Sequence, residues 1–392
     1  MRTYAQKTGF SSDTTNVMFG EHHSLVSRLK TELPDVVFTK CSCHLIHLVA
    51  SEACLKLPKS VEDLLQNLGS HFSQSYHSEQ NLVEFQEFFT VEVRKILNPS
   101  TTPWLSVKAC VDKVLEQYTA LNAYLRQTVC DDPSKTTEEM LNTMNNKFTE
   151  IYLEFVSYIL GLFTDFNTMF QSESPLLHKV KPEIQRLLKT LTSNYLKLHV
   201  VRTKDIFSVD HKDPNNFIDK EDIYLGLQAH ESLSKLKDDT QVPEQEFTFF
   251  FETCQNFYIE AVSQIKKKFI FEDEIFSVLE IVDPVIAQSF QVRSLGKVFN
   301  RFSCLKENVN TLKAEQEWRE HALLEFETHG LDSSLPPEKY WQKVFSLKNP
   351  VGAPLFGELK KVIRLLMVLP FSNGSVERIF SVLNNVKTVT LK

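Results

Sequence analysis

Asp13 follows the short run Gly9-Phe10-Ser11-Ser12, and Glu377 lies in Ser375-Val376-Glu377-Arg378-Ile379-Phe380-Ser381, at opposite ends of 392 residues. A carboxylate in either place has two readings. It can act locally: Ser11-Ser12-Asp13 ahead of a helical stretch is ordinary N-capping chemistry, and a first-turn Glu such as Glu377 is favoured by the helix dipole. It can instead be one leg of a divalent-metal site, because hard cations take carboxylate oxygens. Cys41, Cys43, His44 and His47 raise a zinc question, yet all four fall within seven residues. Structural zinc sites draw ligand pairs from separated segments, so buried thiols and helix-start histidines are the competing reading. Trp104 reads first as a core anchor for helices, since buried aromatics dominate core energetics.

The elements that must position these groups change character along the chain. Residues 4–12 read as a strand ending at Asp13, Glu21–Leu33 as a short helix stopped by Pro34, and Val36–His44 as a second strand. That order suits a parallel α/β unit, whose ligand sites lie beyond the carboxyl ends of strands. Helical spacing then takes over: Leu45–Leu57, Ser60–Ser75, Leu82–Leu97, Leu105–Gln127, Thr137–Gln171, Pro182–Leu198, Ile218–Ala229, Pro243–Phe271 and Thr311–Phe326. Three amphipathic helices close the chain at Tyr340–Pro350, Leu355–Pro370 and Ser375–Lys387. No repeat of 20–50 residues is present, which excludes a solenoid.

Thirty phenylalanines against ten glycines favour helix over β-rich architecture. A net charge of −7 argues against a broadly basic, nucleic-acid-coating surface. Lys266-Lys267-Lys268 and Lys360-Lys361 read as solvated helix faces. Seven cysteines, an odd count without a regular spacing, fit a reducing intracellular compartment, nuclear or cytoplasmic. The start, MRTYAQKTGF, lacks an apolar signal core. The greasiest stretch, Ile151–Phe170, is interrupted by Glu154 and Asp165 and falls short of the ~20 apolar residues of a membrane span. There is no phosphate-binding glycine loop, no G-x-S-x-G and no H-E-x-x-H.

Taken together, the two ends resemble the hAT-superfamily transposases and the host proteins derived from them, including those with a BED-type zinc finger. The C-terminal match is a Pro-terminated helix, a Ser-rich turn and Ser-x-x-Glu-Arg-x-Phe-Ser-like sequence, standing here as Pro370, Ser372, Ser375, Glu377, Arg378, Phe380 and Ser381. The N-terminal match is Asp13, Asn16, Met18 and Gly20, then Cys41, His44 and Leu48; Trp104-Leu105-Ser106 is a third, with Pro103 where the family usually has Arg.

The resemblance implies a mostly α chain. A partial RNase H-like α/β core (1–45) is interrupted by a large helical insertion (46–339) and followed by C-terminal dimerisation helices (340–392). Asp13 and Glu377 then look like two of the three carboxylates that hold a pair of Mg²⁺ ions ~4 Å apart in active relatives. Trp104 looks like a DNA-contacting residue, and Cys41 and His44 like a motif beside the site. No residue matches the first Asp, and no BED finger is present. The expectation is therefore a catalytically inactive, transposase-derived protein that needs no cofactor and works by dimerisation. Tyr340, Trp341, Val362, Leu365, Leu366, Ile379, Phe380 and Leu383 are the expected contacts. Its expected partner is a second copy or a related hAT-type chain, with DNA reached only indirectly and no membrane. Two alternatives stand beside it: a fragment of an active, Mg²⁺-dependent transposase, and a domesticated nuclear DNA-associated factor.

Overall fold

A computed structural model describes residues 8–33, 35–74, 76–96, 104–172, 174–202, 205–238 and 241–372. Glu377, Arg378, Ile379, Phe380 and Leu383 lie outside them. Helix accounts for 67% of the structure and strand for 3%, so the chain is mostly α. It divides into two compact units, Met1–Leu45 with Asn167–Ile184 and Phe269–Lys392, and Ile46–Phe166 with Gln185–Lys268.

The first unit opens with strand β1 (Gly9–Ser12), a short helix α1 (Asn16–Phe19), helix α2 (Leu25–Glu32), strand β2 (Val37–Lys40) and helix α3, which starts at Ser42 and runs to Cys54. The strands pair in parallel, Gly9 with Val37 through Ser12 with Lys40. Helix α2 begins where the Ser24 hydroxyl accepts the Ser27 amide at 3.0 Å. The second strand is shorter than the expected Val36–His44. Cys41 N–H still reaches Ser12 O at 2.8 Å, but the next amide, Ser42, is taken by Phe371 O at 3.1 Å, and the helix starts there. Arg301 secures the entry to β2: it forks onto the Asp273 carboxylate at 2.9 Å and donates to Asp35 O at 2.9 Å.

Helices α4 (Thr311–Ala322), α5 (Pro337–Val344) and α6 (Gly357–Met367) complete this unit. Two carboxylates cap them reciprocally. Glu317 of α4, only 2% exposed, accepts Glu358 N–H at 2.8 Å and Leu359 N–H at 2.7 Å, the first turn of α6. Glu358 accepts Asn310 N–H, at the N-terminus of α4, at 2.8 Å. Orphan helix amides and opposed dipoles make both placements favourable. Below them lies an aromatic core in which His321 stacks on Trp318 and Trp341. His321 Nε2 bonds Tyr340 OH at 2.8 Å, and Trp341 Nε1 donates to Val282 O at 2.8 Å.

This packing corrects the expected dimer contacts. Tyr340 and Trp341 are 0% and 1% exposed, and Val362 and Leu366 are buried as well, so these side chains fill the interior of their own unit. Leu365 is half-buried. The apolar stripe of α6 faces its own core, chiefly α4, and leaves Lys361 and Arg364 to solvent.

Among the described residues the regular elements of the second unit are helices. Its Phe-rich helix Glu244–Lys268 buries Phe247, Phe250, Phe251 and Phe257, as core packing requires. The expected helix Ile218–Ala229 is instead a 3₁₀ turn at Lys220–Asp222 and a helix from Leu227. Between them Gly226 adopts φ +93°, where a Cβ would meet Tyr158 Cβ at 2.8 Å. The helix Leu177–Ser193, which crosses from one unit to the other, starts before Pro182 and carries it inside. Among the described residues no helix is long and apolar enough to cross a membrane.

Two stability predictions follow from these contacts. Glu317→Ala strands two helix amides and is expected to cost about 2–3 kcal/mol in a denaturant melt, with Glu317→Gln milder because an acceptor remains. Burial pulls the His321 imidazole down to about 4, against about 6.5 when unfolded. Between those values the unfolded chain binds more protons. The His321 contribution is complete above about pH 6.5 and is lost at up to about 1.4 kcal/mol per unit as pH falls toward 4. The urea midpoint of His321→Phe is therefore expected to change less between pH 7 and 4.5 than that of the natural chain.

Candidate functional site at the strand ends

Asp13 stands immediately beyond β1. Its Oδ1 accepts Thr15 N–H at 3.2 Å and Thr15 Oγ1–H at 2.8 Å, a local turn that leads the chain into α1. The carboxylate is half-buried. Beside it His44, in the first turn of α3, shares a hydrogen bond between Nε2 and Thr14 Oγ1 at 3.1 Å. Sequence reading missed Thr14, because a lone Thr after an Asp carries no signal of its own.

The same strand ends receive the far end of the chain. Thr39 Oγ1 donates to Pro370 O at 2.7 Å, and Ser42 N–H donates to Phe371 O at 3.1 Å. A Cβ on Gly9 would sit 2.4 Å from Pro370 Cδ, so glycine is what admits this segment against β1. Phe371 packs edge-on against Phe170, with centroids 5.9 Å apart. Two sets of contacts thus follow the strands: Asp13 with Thr15 and His44 with Thr14, and Thr39 and Ser42 with the Pro370 and Phe371 carbonyls.

The other expected groups sit apart from chemistry. Cys41 and Cys43 are 1% and 5% exposed, and Cys43 Sγ donates to Asn167 O at 3.7 Å. Both are interior thiols, and that of Cys43 is held by backbone. Among the described residues no three of His, Cys, Asp or Glu converge in a way that could hold a metal ion. Trp104 opens the helix Trp104–Glu116 in the second unit.

That second unit has its own polar cleft of about 370 Å³, lined by Asp112, Glu116, Glu150, Glu154, Ser157 and Gln228. Burial pushes the Glu150 and Glu154 carboxyls up. Asp112 there accepts from Lys108 at 2.6 Å and Ser157 at 2.5 Å, and Glu154 Oε1 accepts from Ser232 at 2.9 Å, while Glu154 Oε2 is buried without a hydrogen bond.

Gly9→Ala is expected to lower stability by about 1–3 kcal/mol by forcing Pro370 off the sheet. Thr39→Val is expected to cost about 1 kcal/mol, through the lost hydrogen bond to Pro370. Chemical melts measure both, and limited proteolysis beyond Pro370 should accelerate in each variant.

No family model matches this chain, and no curated protein or solved structure is a significant match to it.

Proposed function

We propose that this chain is a hAT-transposase-derived protein whose work is association with a second copy or a related chain, and not strand cleavage. The observation that carries the reading of descent is the reunion of the chain's first and last described segments at the carboxyl ends of two parallel strands. Thr39 and Ser42 hold Pro370 and Phe371 there. This is the arrangement that the resemblance implies for a core cut by an insertion. Glu377 follows Ser372 by five residues, a reach of at most about 18 Å.

What weighs against cleavage is the chemistry around Asp13. One of its oxygens serves the turn to Thr15. Two-metal phosphoryl transfer needs several carboxylates to neutralise charge and set geometry, and no residue of the sequence matches the first of the three. Supporting association is the sheet itself. Among the described residues β1 and β2 pair only with each other, and a two-stranded pair invites covering by another chain.

Sedimentation velocity on the full chain at tens of micromolar is expected to give a dimer, and a monomer throughout overturns the association reading. Duplex DNA incubated with the chain and Mg²⁺ is expected to stay intact. Metal-dependent nicking that disappears in both Asp13→Ala and Glu377→Ala would instead establish the second reading, a working piece of a transposase.

A further inference from the structure

Tyr340, Trp341 and Leu366 fill the interior of their own unit, which leaves them no surface to offer a second copy. The helical unit offers one at the end of helix Tyr76–Phe88. There Val91 N–H reaches back to Gln86 O at 2.9 Å, and Thr90 takes the left-handed conformation at φ 58°. A β-branched residue rarely adopts that conformation. From Val91 to Ile96 the chain then runs without a turn, bend or regular element.

This stretch is held and open at once. The Arg94 carbonyl accepts from Gln86 Nε2 at 2.9 Å and from Gln117 Nε2 at 3.3 Å, and both glutamines are buried. The amides of Glu92 to Ile96 have no hydrogen-bond partner among the described residues. Apolar groups face solvent beside them: Phe88 is 79% exposed, Phe89 36% and Val93 49%. A straight, anchored backbone with unused donors and exposed apolar side chains is a template for strand pairing.

The sequence of the stretch says which partner fits. Val91-Glu92-Val93-Arg94-Lys95 is self-complementary under a two-fold rotation about Val93. Antiparallel pairing places Glu92 opposite Arg94 of the other copy, Arg94 opposite its Glu92, and Val93 against Val93. Opposite charges directly across a strand pair stabilise it, and like charges there destabilise it. An isologous contact requires this kind of self-match. Within one chain Glu92 and Arg94 already form an ion pair, with side chains 71% and 41% exposed. Arg94 also lies 4.0 Å from the Glu116 carboxylate, and both members of the pair are exposed enough to exchange partners.

We propose that Val91–Lys95 pairs antiparallel with the same segment of a second copy, flanked by Phe88 and Phe89. The proposal rests on the association reading and names its surface. The test is sedimentation equilibrium on the full-length chain and three variants, Glu92→Arg, Arg94→Glu and the double exchange. Each single reversal sets like charges opposite one another twice and is expected to raise the dimer Kd about tenfold. The double exchange restores opposite charges and is expected to recover the natural Kd. Because both side chains are exposed, circular dichroism should be the same for all four proteins. Hydrogen exchange should show the Val93 and Lys95 amides, on the edge opposite the anchored Arg94 carbonyl, slowing as concentration rises.

A natural chain that stays monomeric overturns both the association reading and this surface. A dimer indifferent to either single reversal overturns the surface and leaves association standing. Loss in both singles without recovery in the double overturns the antiparallel register.

Discussion

The first unit depends on the two hydrogen bonds that hold the carbonyls of Pro370 and Phe371. Thr39 and Pro370 are 331 residues apart in sequence, so their contact closes nearly the whole chain. Loop-closure entropy grows only slowly with length, which makes so distant a contact affordable in equilibrium terms. It is still a contact that cannot reward the chain until much of the intervening structure is in place. The strands, the turn at Asp13 and the first turn of α3 all take their final shape around that return. Without it Ser42 N–H would lose its partner, and the face of β1 at Gly9 would be left uncovered.

The same economy governs charge. Several carboxylates in the first unit serve amides and arginine. Glu317 and Glu358 hold helix N-termini, and Asp273 holds Arg301, which in turn fixes the entry to β2. Asp13 follows the pattern with its bonds to Thr15. A carboxylate in such a role is fixed in direction and partly neutralised.

Local signals carried part of this into the sequence. The Pro-bounded apolar stripe of α6 and the strand–helix–strand order at the start are periodicity and turn chemistry, both set by near neighbours. What was not legible depends on distant ones. Nothing between Val36 and His44 announces that the strand stops at Lys40, because the cause is Phe371, far along the chain. Tyr340 and Trp341 look the same in sequence whether they face a second copy or their own core; only the burial of His321 and Val282 around them decides it. Gly226 broke an expected helix through a close approach to Tyr158 that no spacing rule contains. At the strand ends, Asp13 and His44 were visible by type, whereas Thr14 and Thr39 acquire meaning only from what they touch.

The packing of His321 against two indoles has an optical consequence. Of the three tryptophans in the chain, Trp318 and Trp341 share this one buried stack, with centroids 6.5 Å apart. Intrinsic fluorescence is therefore dominated by the C-terminal aromatic core, while far-ultraviolet ellipticity sums helices from both units. The two signals are separate channels onto one molecule. Coincident melting curves would mean that the helical insertion and the unit it interrupts unfold as one cooperative body. A gap between the curves would give the stability of each unit in a single titration, without cutting the chain.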